Sequence, residues 1–178
     1  SVGATEDEAA ELGPIVMAVD GSELDRITTD PWAYVDAHTL HVPAGDVGSA
    51  TLTISSTSIA SSAPAQYRFN HRVLTGWSLA NDTSAISPDG IDMLLRALSG
   101  IPAAVSMDAA ALGSGFRPIA SLSAFARRGE PLTYPQGINL GYVQTQAGRL
   151  PAAEHQGVLR VYSEAETSAA WQWLQSLE

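Results

Sequence analysis

His38, His41, His71 and His155 are the side chains of this sequence best suited to moving protons or ligating a metal near neutral pH. Two of them stand three residues apart with Asp36 and Asp46 close by, the residue types of a metal cluster or an acid–base site. The spacing weighs against metal. On a strand an odd separation puts two side chains on opposite faces, so His38 and His41 converge only if their segment is a loop. They read as surface or hydrogen-bonded strand histidines, and no metal ligand set is assigned. His71 falls on the apolar side of an alternating run and reads as a core histidine with a satisfied ring nitrogen. A carboxylate–histidine hydrolase would need two acids to meet His38, His41 or His155 in one hollow. Glycoside hydrolysis leaves no short motif that would announce it.

Other chemistries are closed by composition. The 178 residues include no lysine and no cysteine, and all nine basic side chains are arginine. That excludes a phosphate-loop or Schiff-base lysine, a thiol nucleophile, a zinc finger and an iron–sulfur site. Gly113-Ser114-Gly115-Phe116 and Asp20-Gly21-Ser22 are turn sequences, and neither fits the Gly-x-Ser-x-Gly nucleophile elbow. No Gly-x-Gly-x-x-Gly occurs, so no nucleotide cofactor is expected. Asp89 and Asp92 share a helix face, but it is the solvated one. No catalytic residue, cofactor or metal is assigned.

Charge narrows the partners. The net charge is −10, and the densest basic spot is the pair Arg127-Arg128. Such a field repels nucleic-acid phosphates and anionic membranes. The expected partners are copies of the chain or other structural proteins, with a glycan as the alternative. Trp32 and Trp77 lie near expected loops, where an indole can stack on a sugar, although core packing or subunit contact is the stronger reading. With no 18-residue apolar run and an acidic start, neither a membrane span nor a signal peptide is read, and Ser1 follows either methionine removal or a larger cleavage. The expected setting is a virion or the cytoplasm.

These residues must be positioned by a mixed chain. Residues 1–12 are small and acidic and read as an arm, with Glu6, Asp7 and Glu8 as candidate interface residues. Residues 13–178 read as one domain, with a subdivision near 80–87 as the second choice. Ile15–Val19, Tyr34–Val42 and Ala50–Ala60 are expected strands. Tyr67–Val73 is the clearest, with Tyr67, Phe69, His71 and Val73 on one side and Arg68, Asn70 and Arg72 on the other. Ser87-Pro88-Asp89 opens a helix whose stripe is Ile91, Leu94, Leu95 and Leu98, and Gly100 and Pro102 end it. Ile101–Met107, Asn139–Gln146 and Gly157–Tyr162 are further strands, and Pro118–Arg127 reads as a helix. Asp108–Gly115 stays unassigned. Ser163-Glu164-Ala165-Glu166 forms a capping box for a last helix that buries Ala170, Trp173, Leu174 and Leu177. Trp171 falls off that stripe and is a candidate interface residue. The fold class is α+β, a β-rich first half (antiparallel sheet, sandwich or barrel-like) followed by two to three helices.

Two stretches resemble known families. Thr39-Leu40-His41-Val42-Pro43-Ala44-Gly45, followed by the alternating run at Ala50–Ala60, resembles the opening of jelly-roll modules in phage fibres and head decorations. Tyr134-Pro135 to Leu177 is similar in outline to siphophage tail-terminator proteins, and its terminal strand–helix also resembles the end of a STAS-like regulatory domain. These resemblances imply no site residues. With the acidic arm, the β-rich body and the absence of a catalytic signature, they favour a non-enzymatic structural or assembly protein, such as a phage tail or head accessory component. The alternatives are a carbohydrate-binding β module and a carboxylate–histidine hydrolase.

Overall fold

The computed structural model describes Trp32 and residues 35–55, 64–80, 86–133, 137–146 and 148–177. The chain divides into a unit of residues 1–34 and a unit of residues 35–178. In the first, Trp32 is half-buried. Glu6, Asp7, Glu8 and the expected strand Ile15–Val19 lie outside the described residues. The second unit is α+β.

Its frame is one antiparallel sheet of eight strands: β1 (Val47–Ile54), β2 (Ala65–Arg72), β3 (Gly76–Leu79), β4 (Val105–Asp108), β5 (Phe116–Ala126), β6 (Ile138–Thr145), β7 (Gly148–His155) and β8 (Val158–Val161). They lie in the order β3-β2-β1-β5-β6-β7-β8-β4. Three helices accompany them, α1 (Asp89–Gly100), the single turn α2 (Ala109–Leu112) and α3 (Glu164–Gln175). Helix α1 carries the chain from one edge of the sheet to the other. The turn α2 and the 3-10 turn Gly113–Gly115 return it to the centre.

Alternation sorts side chains to two faces. Ala50, Leu52 and Ile54 of β1 stand opposite Phe69, Tyr67 and Ala65 on β2 and opposite Ala124, Leu122 and Ala120 on β5. With Ile138, Leu140 and Ala153 they meet Ile91, Leu94, Leu95 and Leu98 of α1 and Ala170, Trp171 and Leu174 of α3 in the main core. The other face carries a smaller core of Val143, Ala152, Leu159 and Val161, against which Met107, Leu112 and Phe116 pack. Over β1 and β5 that second face holds Ser49, Thr51, Thr53, Ser121 and Ser123. There the hydroxylated, β-branched run favours an extended chain without needing a cover.

Helix α1 forms as its sequence dictates. Ser87 accepts a bond from the Asp89 amide, and all four stripe residues are buried. Strand β2 also matches, ending one residue early so that Val73 falls in the turn. The expected strands at Ile101–Met107, Asn139–Gln146 and Gly157–Tyr162 appear as β4, β6 and β8, displaced by a few residues or fewer. Strand β1 starts earlier than expected, and residues 56–60 lie outside the described set.

Three expectations are corrected. Pro118–Arg127 is strand β5, not a helix. Its Ala and Ser residues tolerate a helix, but Ala120, Leu122 and Ala124 alternate inward between β1 and β6, and pairing on both sides overrides local propensity. Residues 35–42 form no strand: the Thr39 and Leu40 amides both bond the Leu98 carbonyl at the end of α1 instead of a ladder. Strand β7 was missed because it contains Pro151. Amide and carbonyl of one strand residue point the same way, and the Pro151 carbonyl accepts from Tyr162 just past the end of β8. The missing N–H therefore costs the ladder nothing on the β6 side.

Helix α3 starts after Ser163 as expected, but the serine hydroxyl makes no capping bond. The fourth correction is Trp171. It is buried at 1 % exposure, whereas Trp173 is only partly covered. The two indoles split the work of the helix. Trp171 faces the sheet and packs on Tyr162, while Trp173 meets Phe69 edge-on and lies over Gly90 of α1.

Candidate functional site

The segment Val35–Pro43 is a strap laid over the end of the main core where α1 and β8 finish. Leu40 anchors it in the core, and the Ala103 amide bonds the Ala37 carbonyl. The Thr39 hydroxyl bonds the Tyr162 phenol, and Arg160 Nε donates to the Asp36 carbonyl at 3.0 Å. Being a loop, the strap achieves what a strand could not, and His38 and His41 do converge. Asp36 joins them, its Oδ1 lying 3.0 Å from His38 Nδ1 and its Oδ2 2.9 Å from His41 Nδ1.

The Asp36 carboxyl is held down to about 2, first by the His38 amide, which donates to Oδ1, and then by the two rings. It is therefore ionised and can only accept. Each ring must carry a proton on Nδ1 to bond it. Both residues line an open hollow of about 770 Å³ that Arg96 and Ser99 also line. The arrangement holds two oriented imidazoles around one carboxylate. Arg96 is tied to Asp92 at 2.7 Å. Among the described residues no group of three or more His, Cys, Asp or Glu side chains is placed to hold a metal ion.

Beneath the strap lies a second layer, wholly inside. Arg160 of β8 and His155 of β7 are 4 % and 6 % exposed. Arg160 pairs with Ala153 and His155 with Val158, so the two are diagonal neighbours on the core face of adjacent strands. Arg160 Nη1 and His155 Nε2 are both buried without a hydrogen-bond partner among the described residues. Burial lowers the His155 ring below its ordinary 6.5, and the charges of Arg160 and His41 add to the effect, opposed by Glu154 and the Thr133 backbone. Burial also pushes the Tyr162 phenol up. Neither Arg160 nor His155 was singled out on the sequence as part of a joint site. The available signal was a lone arginine between Leu159 and Val161 in an otherwise apolar strand.

The remaining candidates scatter. Trp77 is buried and packs against His71, ring centroids 5.0 Å apart, so it offers no platform for a sugar. His71 is half-buried and lies outside the core, contrary to expectation, but its Nδ1 lies 3.3 Å from Arg127 Nη2, which gives the ring nitrogen the expected partner. Trp171 donates from Nε1 to the Gly141 carbonyl at 2.9 Å and has no face to offer a partner. Val73 and Leu74, at the tip of the β2–β3 hairpin, are 78 % and 96 % exposed and were not marked as an interface by the sequence. None of the described helices is long and apolar enough to cross a membrane. Compared with known proteins, the chain matches no family model, no curated protein and no solved structure.

Proposed function

We propose that this chain is a non-enzymatic assembly subunit that docks through the β2–β3 hairpin tip onto further copies of itself. The observation that carries the reading is the exposure of Leu74 and Val73, two large apolar side chains side by side on a projecting turn. Single exposed apolar residues are ordinary, but an adjacent pair on a protrusion has the form of an anchor for a pocket. The receiving surface is the groove between α1 and α3. Met93, Ala97, Ile101, Ala169 and Ala170 line it, and it encloses about 440 Å³. Glu166 and Arg96 also line it, so the groove carries one charge of each sign around its apolar floor. Both sheet edges, β3 and β4, can add contacts, since Val105 on β4 is exposed.

Tip and groove are different surfaces, so the contact is head-to-tail and closes into a ring or runs on as a tube. A particle component, such as a phage tail or head accessory protein, is the setting that suits such a subunit. Electron microscopy of the purified oligomer showing closed rings or tubes supports that setting.

Leu74→Asp tests the docking surface. Size-exclusion chromatography with light scattering should show an oligomer for the parent chain and a monomer for the variant. The unfolding free energy should change by no more than about 0.5 kcal/mol, because the site is solvent-exposed. A parent chain that stays monomeric at high concentration, or a variant that still assembles, rejects self-assembly through this tip.

A further inference from the structure

We propose that Arg160 and His155 form an internal receptor for a small oxyanion, of phosphate, sulfate or carboxylate type, beneath the strap Val35–Pro43. The two side chains are more than nine-tenths buried, and each presents a nitrogen with no hydrogen-bond partner among the described residues. Native proteins rarely leave one such atom inside, and two on neighbouring positions of one face have a common cause.

The charges point to an anion. A buried guanidinium is costly unless an opposite charge meets it. The groups whose charge favours Arg160 are Tyr162 and then Asp36. Both Asp36 oxygens are engaged by His38 and His41, and the strap gives Arg160 only the backbone carbonyl of Asp36. The guanidinium thus has no carboxylate in direct contact among the described residues, and its Nη1 finds no acceptor among them. An oxyanion on that face, under the strap, would accept from Arg160 Nη1 and from His155 Nε2, once that nitrogen is protonated. The Thr133 backbone favours the charged ring, as the direction of its effect shows. The strap sets access: its two hydrogen bonds to Leu98, the Thr39–Tyr162 bond and the Arg160–Asp36 bond must open to admit the ligand.

Binding is then coupled to proton uptake. The groups facing His155 are Arg160 from β8, His41 from the strap, Glu154 on its own strand and the Thr133 backbone. Burial and the Arg160 charge disfavour the protonated ring, and a bound anion opposes that effect. Affinity should therefore rise as pH falls through and below the ordinary histidine range.

The experiment titrates the full chain with inorganic phosphate, sulfate and acetate at constant ionic strength, with chloride as the reference. Calorimetry measures affinity, and the 15N shift of His155 Nε2 reports the site directly. Oxyanion affinity should be at least about tenfold higher at about pH 5.5 than at about pH 8, and the Nε2 resonance should move to its protonated position on binding. Phosphate or sulfate binding with acetate inert identifies a tetrahedral ligand, and the reverse a carboxylate. His155→Gln should keep weak binding that no longer varies with pH, and Arg160→Met should lose binding. Should Arg160→Met not fold, the His155 resonance in the parent chain decides. A resonance unmoved at saturating anion shows that water alone bridges the pair, and equal binding by His155→Gln at both pH values places the anion elsewhere. Either result overturns the proposal.

Discussion

Trp171→Ala is expected to lower the unfolding free energy by about 3–5 kcal/mol, the range for truncating a fully buried large aromatic side chain. Two separate losses add up. The indole fills the space between α3 and the sheet against Tyr162, ring centroids 5.6 Å apart, and alanine leaves that volume empty. Its Nε1 also satisfies the buried Gly141 carbonyl, which alanine cannot reach. Trp171→Phe separates the two. It keeps most of the ring and removes the donor, and should cost about 1–3 kcal/mol, the penalty of a stranded buried acceptor. Urea unfolding followed by tryptophan fluorescence and circular dichroism checks both. A midpoint for Trp171→Ala within error of the parent would mean that the indole does not sit in this core.

Gly141→Ala should be nearly as damaging, at about 3 kcal/mol, toward the upper end of overpacking costs. In a strand, exchanging glycine for alanine normally stabilises by about 0.5–1 kcal/mol, because less chain entropy is lost. Here the sign reverses. A Cβ on Gly141 would stand 2.0 Å from the Arg117 carbonyl oxygen and 2.8 Å from Pro118 Cα, which are backbone atoms of the paired strand. Strand β5 shifts register between Pro118 and Ala120, so its backbone crowds β6 at this point and no side chain can rotate away. Gly90 makes a useful contrast. Its Cβ would meet the Trp173 ring at 2.0 Å, and a ring can swing, so Gly90→Ala should cost about 1–2 kcal/mol. Chemical denaturation of the two variants side by side should rank Gly141→Ala as the worse. The opposite order would show that β5 and β6 are not this close.

Stability should also depend on pH through His155. Its folded value lies below the unfolded 6.5, so the native state holds fewer protons than the unfolded chain between those two values. The contribution is complete above 6.5 and is lost as pH falls through the lowered folded value. Denaturation midpoints measured across that interval should flatten in His155→Gln. An unchanged slope would mean that the ring is not buried.

The legible parts of the sequence were those where a local pattern and the tertiary environment agree. Helix α1 carries its stripe and its stops in one stretch, and β2 alternates beside a glycine turn, so both could be read directly. Strand β5 could not, because Ala, Ser and Phe suit either state and only the flanking strands decide. Strand β7 hid behind Pro151, whose harmlessness depends on β8 ending where it does. Strand geometry argues against an Asp36–His38–His41 grouping, and that argument fails because the segment is a loop. Trp171 and Trp173 exchanged roles because α3 is pressed between the sheet on one side and α1 on another, so it buries a wider arc than one stripe. Arg160 and His155 lie on different strands, and no spacing within either strand announces the pair.

The strand order also governs how the polypeptide reaches this shape. Strands β1 to β3 and β5 to β8 are each neighbours in sequence and in space, but the seam between the two sets joins Ile54 to Ala120 and Leu52 to Leu122. Each set can zip up by short-range closures, while the seam must wait for distant parts of the chain to find each other. Refolding should therefore be limited by that long-range encounter, and protection of β1 and β5 amides should appear late. Until then two unfinished strands lie bare side by side, and that interval is when this molecule is most open to pairing with the wrong neighbour.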